Sequence, residues 1–218
     1  LAHANIPGYR RRVAAFESFD QAMFRASGSP SKSAGIGIQR SSVFTVFEPG
    51  DFQSTENSLD LALRGDGFFV VEGPNGPLYT RNGVFQLNAQ GELQNSGGLA
   101  VNGTAGRISI PPNALHITVH EDGAVLADGT EIGRLKIAQF KDPSVLTPVG
   151  TTLFQAPAGV RPEDGGSTVH QGYREASNVQ VVDEMVQMIA GMRQYEASQR
   201  ALRALSEAIE LHTRPQAG

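Results

Sequence analysis

The sequence predicts a mainly β protein with one long terminal α-helix, and two observations carry this prediction. From Leu59 to about Phe154, turn signals rich in Gly, Pro, Asn and Asp recur every eight to twelve residues between β-branched and aromatic runs. From Ser177 to Leu211, apolar residues instead recur at three- and four-residue spacing, which is typical of a helix. We therefore expect a β-sandwich or barrel-like body bracketed by N- and C-terminal segments that form a helical assembly domain.

Individual strands are predicted from local composition. Residues 42–47 read Ser-Val-Phe-Thr-Val-Phe, a β-branched and aromatic run that Pro49 and Gly50 end. Residues 68–71 and 78–80 flank Pro-Asn-Gly at 74–76, which predicts a hairpin. Further strands are predicted by the same criteria at residues 84–87, 117–120, 124–126 and 135–140.

Changes in composition divide the chain into four segments. Residues 1–25 are expected to be the remnant of an N-terminal helical or turn segment, because Val13, Phe16, Phe19, Met23 and Phe24 are spaced in a loosely helical manner. Residues 26–58 form a connector that opens with a flexible Ser/Gly/Pro run and contains an extended strand. Residues 59–170 form the β domain and residues 171–218 the C-terminal assembly helix. Since the chain starts at Leu1 rather than Met, we expect a fragment or a processed form.

The terminal helix carries the first candidate functional residues. Ser177 and Gln180 have the form of a capping box, which places the helix start there. Polar residues at 196 and 199 interrupt the apolar stripe, and this favours packing among several helices over a two-helix coiled coil. A helix folded back onto its own domain would use the stripe equally well. The candidate assembly residues are Val182, Met185, Ile189, Met192, Leu202, Leu205 and Ile209.

Composition argues against several classes of function. The formal net charge is −4, and the only dense basic cluster is Arg10–Arg12, so a nucleic-acid surface is not expected. No apolar run approaches the roughly 18 residues of a membrane helix, so membrane insertion is not expected. The chain contains no cysteine, which excludes disulfides, thiolate catalysis and cysteine-bound metals.

No pattern predicts an enzyme, a metal site or a cofactor. His116 and His120 form the only close histidine pair, and a strand would separate them by about 13 Å, which is too far to share a metal. The adjacent acidic pairs at 121–122 and 163–164 lie in Gly-rich turns, where carboxylates commonly shape the turn. Arg-Gly-Asp at 64–66 is interpreted as a tight turn before the next strand.

Four sequence blocks, in order, resemble the bacterial flagellar axial family of rod and hook proteins. Residues 1–10 are similar to its N-terminal signature L-A-N-x-N-T-P-G-Y/F-K/R, with departures at His3 and Ile6. Residues 57–69 match N-x-L-D-x-A-[IL]-x-G-D-G-F-F, and residues 79–83 match Y-T-R-[ND]-G. From Gln171 onwards the chain is similar to the family's C-terminal signature. The matching signature residues are Asn5, Pro7, Gly8, Tyr9, Leu59, Asp60, Gly65, Asp66, Gly67, Phe68, Ser177, Asn178 and Val179.

The resemblance implies a structural axial subunit of the flagellar basal-body rod that polymerises through terminal helices and transmits torque. It implies no enzymatic activity. It also implies that the partners are further copies of the chain, other rod and hook subunits and the flagellar export machinery. The expected location is the basal body, in the periplasmic or extracytoplasmic part of the flagellum. Proximal-rod and distal-rod types both fit these blocks.

A second hypothesis comes from a different class of protein. A secreted adhesin or glycan-binding β module with a C-terminal oligomerisation helix would show the same division into β body and apolar helix. The two hypotheses differ in what the chain ends do. A rod subunit needs both ends together, whereas an adhesin binds its ligand through the β domain alone.

Overall fold

The computed structural model describes residues 2–18, 38–164 and 166–213. Residues 2–178 form one unit, and the residues from Val179 onwards belong to a second unit. Within the described ranges the first unit is built of short strands and one 3-10 turn at Pro143–Val145, and the second is the helix α1 (Val181–Thr213). No helix in these ranges is both long and apolar enough to cross a bilayer. The prediction of a mainly β protein with one terminal helix is confirmed.

The strands of the first unit are short and follow one another closely along the chain. In chain order they are β1 (Arg12–Ser18), β2 (Ile38–Thr45), β3 (Phe52–Ser54), β4 (Leu61–Arg64), β5 (Gly67–Gly73), β6 (Gly76–Thr80), β7 (Phe85–Leu87), β8 (Leu93–Asn95), β9 (Asn102–Gly103), β10 (Gly106–Arg107), β11 (Ile117–Val119), β12 (Ala124–Ala127), β13 (Thr130–Arg134), β14 (Ile137–Gln139), β15 (Thr147–Val149), β16 (Leu153–Gln155), β17 (Glu163–Asp164), β18 (Thr168–Gln171) and β19 (Tyr173–Glu175).

A six-stranded antiparallel sheet forms the centre of the β unit, in the order β15-β16-β6-β5-β14-β17. Around it lie a three-stranded sheet, β11-β12-β13, and the pairs β1-β2, β3-β19, β4-β18, β7-β8 and β9-β10. None of these described sheets closes into a barrel, so the barrel-like alternative is wrong and the body consists of open sheets. The pairs β3-β19 and β4-β18 join the residues that precede the core to those that follow it.

Strand β5 organises the core because both of its faces are buried. Its first five residues, Gly-Phe-Phe-Val-Val, are all buried and carry only apolar side chains, as expected for a strand covered on two sides. Phe69 and Val71 point into the larger apolar cluster, which includes Leu61, Leu78 and Val101. The alternate side chains of β5, at positions 68 and 70, point into a second cluster that contains residues 79, 140 and 154.

The hairpin predicted at 74–76 is confirmed, and a second tight hairpin forms at Asp128 and Gly129. β5 and β6 pair around the turn at 74–75, with Gly73 opposite Gly76. β12 and β13 pair around Asp128 and Gly129, which both have positive φ (48° and 83°), as a two-residue I′ turn requires. Predicted strands at 84–87, 117–120 and 135–140 are found as β7, β11 and β14 with shorter bounds.

The N-terminal segment differs from the prediction. Residues 2–8 form turns and a bend, but residues 12–18 form β1, so the helical spacing expected from Val13 is wrong over this stretch. The reason is pairing at long range, because β1 lies antiparallel to β2 over its full length. The strand predicted at 42–47 is β2, which begins earlier, at Ile38. Phe19, Met23, Phe24 and the flexible run at 26–31 lie outside the described residues.

Helix α1 starts later than the capping box predicted. Its first residue is Val181, and the carbonyl of Gln180 accepts the first intrahelical hydrogen bond from the Glu184 amide at 3.1 Å. Ser177 therefore does not cap the helix. The residues just before the helix are irregular and are held by distant segments, since Ala176 donates its amide to the carbonyl oxygen of Asp51 and Asn178 donates its amide to that of Tyr9. Asp183 and Glu184 still lie in the first turn, where negative charge favours the helix.

Candidate assembly sites

The seven candidate assembly side chains of α1 are all exposed. Their exposed fractions range from 46% at Met185 to 72% at Val182. Val186, Met188 and Tyr195 are similarly exposed. Singly exposed apolar residues need no explanation, but this many on one helix form a continuous surface that burial against a partner would stabilise.

The exposed apolar surface winds around α1. At 3.6 residues per turn, Val182, Met185, Ile189 and Met192 lie within about 80° of one another. These four residues form the first group, and Leu202, Leu205 and Ile209 form the second. The ten residues from Met192 to Leu202 turn the helix about 80° less than three full turns, so the second group points away from the first. The seven residues therefore do not share one face of the helix, although their three- and four-residue spacing predicted a single stripe. Met188 and Tyr195 lie between the two groups and connect them into a band.

A second candidate site lies in the β unit, where the two ends of its chain meet. We call it the junction and define it as residues 8–12, 46–51 and 174–178. Backbone hydrogen bonds of 2.8 Å join its segments, from Gly8 to Glu175, from Val46 to Arg11 and from Ala176 to Asp51. The N-terminal segment, the connector and the C-terminal segment thus share one hydrogen-bonded network.

The Asn178 side chain joins all three segments of the junction. Its amide nitrogen donates to the carbonyl oxygens of Val46 and Glu48 at 2.9 and 3.0 Å. Its oxygen accepts a 2.6 Å hydrogen bond from the amide of Arg11. One side chain therefore satisfies three backbone groups that regular strand pairing leaves without partners at this point.

A buried ion cluster lies at the centre of the junction, and we call it the Glu175 cluster. Nη2 of Arg10 lies 2.6 Å from Oε1 of Glu175, and both side chains are 0% exposed. The same oxygen accepts the amide of Gly50 at 3.0 Å. Nη1 of Arg81 lies 3.6 Å from the other carboxylate oxygen.

Arg81 belongs to the β core as well as to the Glu175 cluster. Its guanidinium donates to the carbonyl oxygens of Leu63 and Gly65 and lies 5.1 Å from the centre of the Phe68 ring. Burial lowers the pKa of Arg81 to about 10, although the charge of Glu175 opposes this shift. The side chain therefore remains a cation at neutral pH, and the core holds it on three sides.

Two glycines allow the segments of the junction to approach closely. A Cβ on Gly8 would lie 2.3 Å from the amide nitrogen of Asn82, and its φ of +65° also favours glycine. A Cβ on Gly50 would lie 2.1 Å from the carbonyl oxygen of Ala176. The Pro-Gly-Tyr turn at 7–9 therefore packs its backbone against the turn that follows Thr80.

Comparisons with known proteins identify the family. Residues 62–127 match the model of the flagellar hook protein FlgE/F/G D1 domain, and residues 170–210 match that of the flagellar basal body rod FlgEFG protein C-terminal region. The flagellar basal-body rod protein FlgG of Agrobacterium fabrum is 33% identical over 231 residues, which cover 95% of this chain and 87% of that protein. The chain belongs to the flagellar basal-body rod protein family.

Two further rod proteins are similar in sequence to most of this chain. FlgG of Buchnera aphidicola subsp. Schizaphis graminum is 30% identical over 96% of this chain and 88% of its own length. FlgF of Caulobacter vibrioides is 35% identical over 69% of this chain and 62% of its own length. The chain is thus a structural, axial component of the rod in the flagellar basal body. Neither the relatives nor the fold supports the adhesin or glycan-binding hypothesis.

The structure brings six of the thirteen rod-family signature residues to the junction and its neighbourhood. Gly8, Tyr9 and Asn178 belong to the junction itself. Ser177 belongs to the junction as well, and it lines a small polar recess of about 190 Å³ together with Asn5, Pro7, Gln53 and Arg174. Residues at the two ends of the β unit's sequence therefore form a single site.

The central signature residues have other positions in this rod-family chain. Asp60 is buried and accepts a hydrogen bond from Asn57 at 3.0 Å, and Leu59 is partly buried against the larger cluster. Gly65 has a φ of +111°, and Asp66 beside it is exposed. Gly67 has no positive φ, but a Cβ there would lie 2.6 Å from Ile137. Phe68 is a core residue, and Val179 is assigned to the helical unit.

The sequence patterns did not single out Arg10, Arg81 or Glu175. Each lies inside or beside a matched block, but a charged residue in a polar stretch ordinarily predicts an exposed position. The available signal was the position of each arginine beside an aromatic or β-branched core residue, Tyr9 or Thr80. Within the described ranges, no group of three His, Cys, Asp or Glu side chains is arranged to hold a metal ion.

Proposed function

We propose that this rod subunit polymerises through α1 with further copies of itself and with other rod and hook subunits, and that the polymer transmits torque. The exposed apolar band of α1 carries the proposal. Fully burying a side chain of this kind contributes about 1.5–3 kcal/mol. The seven candidate residues together would contribute on the order of 10 kcal/mol before the costs of association are subtracted.

The direction of the band favours several partner helices over one. A two-stranded coiled coil needs an apolar seam that stays on one side of the helix. Here the second group, at 202, 205 and 209, points about 80–140° away from Met192. A bundle in which α1 contacts neighbours on more than one side would bury both groups.

The segments have separate roles in this proposal. Residues 171–218 contain the assembly helix, and the β domain at 59–170 makes contacts between neighbouring subunits outside the helical bundle. Residues 1–25 and 26–58 are the N-terminal segment and the connector, which are tied into the junction where they are described. The subunit has no enzymatic activity and passes through the flagellar export machinery to reach the rod.

Substitution of Met185 and Ile189 by Asp tests the role of α1. The double variant should lose incorporation into rods and motility, because two charges would then lie on the band. Circular dichroism and thermal unfolding should show a folded β unit. Incorporation is measured by the amount of the subunit in purified basal bodies.

A double variant with Gln187 and Gln194 replaced by Asp is the matched control. It introduces the same two charges on the same helix, about 180° from the tested face and at least eight residues, about 12 Å along the axis, before the second group. We expect it to assemble. Normal incorporation of the Met185 and Ile189 variant would show that the first group of the band is not an assembly surface.

A further inference from the structure

We infer that Glu175 is a positioning residue for assembly, because its carboxylate makes the two ends of the β unit close and open together. Glu175 and Arg10 are 165 positions apart in sequence, and they meet with no solvent between them. The inference concerns the junction itself. Only the assembly measurement described below rests on the proposed function.

One residue provides the contacts to three separate parts of the chain. The Glu175 side chain holds Arg10 of the N-terminal segment and Gly50 of the connector through the same oxygen, at 2.6 and 3.0 Å. Its other oxygen faces Arg81 of the core at 3.6 Å. Its backbone carbonyl accepts the amide of Gly8 at 2.8 Å.

The charge of the cluster makes the carboxylate indispensable. Two arginines and one glutamate leave a net positive charge in a region that water does not reach. Among the described residues, Nε and Nη1 of Arg10, Nε of Arg81 and Oε2 of Glu175 are buried without a hydrogen-bond partner, although Oε2 lies 3.6 Å from Nη1 of Arg81. The carboxylate therefore acts on the two arginines mainly through its charge, and a cluster with two buried cations cannot lose that anion without leaving buried charges uncompensated.

The two arginines depend on Glu175 to different degrees. Arg81 keeps the carbonyl oxygens of Leu63 and Gly65 and the Phe68 ring if the carboxylate is neutralised. Within the described chain, Glu175 is the side-chain partner of Arg10. Neutralising Glu175 should therefore release the N-terminal segment and the connector, while the core around Arg81 stays folded.

Hydrogen exchange of the full chain tests this coupling. In a Glu175→Gln variant, the amides of Gly8, Val46 and Gly50 should exchange about 100-fold faster, because the unpaired Arg10 disfavours the closed junction. Amides of β5 and β6 should keep their native rates. A Glu163→Gln variant is the control, since Glu163 is exposed and pairs with Lys141 at 3.0 Å on the surface.

A second substitution separates positioning from a general loss of stability. In the Arg10→Met, Glu175→Gln double variant neither charge of the pair remains, so exchange in the junction should return to within about tenfold of native. Faster exchange throughout the β unit, or no change in the junction, would overturn the inference. So would a double variant that is no better protected than Glu175→Gln.

Incorporation into basal bodies tests the link to assembly. Glu175→Gln should reduce incorporation, and the double variant should restore it. Normal incorporation of a variant whose junction is open would refute the positioning role. Failure of the proposed function would appear elsewhere, as normal assembly of the Met185 and Ile189 variant, and it would leave the exchange results untouched.

Discussion

At the scale of single residues, the junction depends on side chains that replace regular backbone pairing. Asn178 bonds three backbone groups in two segments, and the Glu175 carboxylate reaches the backbone of Gly50. An amide or carboxylate side chain can replace backbone pairing because it carries hydrogen-bond donors or acceptors that reach backbone groups outside a regular strand ladder. Replacing such a residue would leave backbone groups unsatisfied even though little apolar surface is lost.

Two effects disfavour a side chain at Gly8: the close approach of the Asn82 backbone and the positive φ. A matched control substitution can separate them. Gly8→Ala should lower the free energy of unfolding by about 2–4 kcal/mol, because strain at positive φ adds to a clash with the backbone of Asn82. Gly98→Ala is the control, since Gly98 also has positive φ (+80°) but open space around its Cα. Chemical denaturation of both variants measures the difference. Equal destabilisation would show that the close approach contributes nothing.

Asp128 ties an exposed loop to the β12-β13 turn. Its carboxylate accepts the amides of His116 at 2.8 Å and of Leu115 at 3.1 Å, and these hydrogen bonds lower its pKa from the usual 3.8. Because the pKa is lower in the folded state, this stabilisation is fully present above about pH 4. It is lost as the pH falls through the lowered value.

Asp128→Asn should therefore remove part of the acid sensitivity of this loop. We expect protection of the Leu115 and His116 amides to be weaker at pH 6 than in the native chain, since a neutral amide is a poorer acceptor than a carboxylate. We also expect that protection to change less between pH 6 and pH 3. An unchanged pH profile, measured by hydrogen exchange with correction for intrinsic rates, would show that Asp128 does not hold the loop.

At the scale of elements, local chemistry explains which predictions succeeded. The hairpins at 74–76 and 128–129 form because local residues supply the backbone conformations that tight turns need. Gly76 has a φ of +120° directly after the turn residues Pro74 and Asn75, and Asp128 and Gly129 both have positive φ. β1 was not predicted because its strand conformation comes from pairing with β2, and no turn signal beside β1 indicated that pairing. The start of α1 was placed too early because hydrogen bonds to distant segments hold the residues before it in an irregular conformation.

The second apolar group of α1 provides a prediction at this scale. Leu202→Asp with Leu205→Asp should abolish incorporation into basal bodies while Met185 and Ile189 are intact, because both groups of the band need partners. Ala197→Asp with Ala204→Asp adds the same charges at exposed positions about 120° away and should be tolerated. Full incorporation of the leucine variant would restrict the assembly surface to the first half of α1.

At the scale of the whole molecule, the β unit is closed by its own chain ends. Strand pairs β3-β19 and β4-β18 join the sequence before the core to the sequence after it, and the junction adds the N-terminal segment. For a rod-family subunit this closure means that the terminal segments of the β unit are part of its folded structure rather than loose linkers. The Glu175 cluster then makes the integrity of one end depend on the other.

Patterns within short stretches of sequence were enough to establish the β character, the terminal helix, the apolar residues of α1 and the family resemblance. Each of these depends on neighbours within a few turns or strands. Sequence patterns could not show that Arg10, Arg81 and Glu175 meet, because a buried charge is recognised only when its partner is known. Three separate segments bring those partners together, and the free energy of a charge depends on what surrounds it in space.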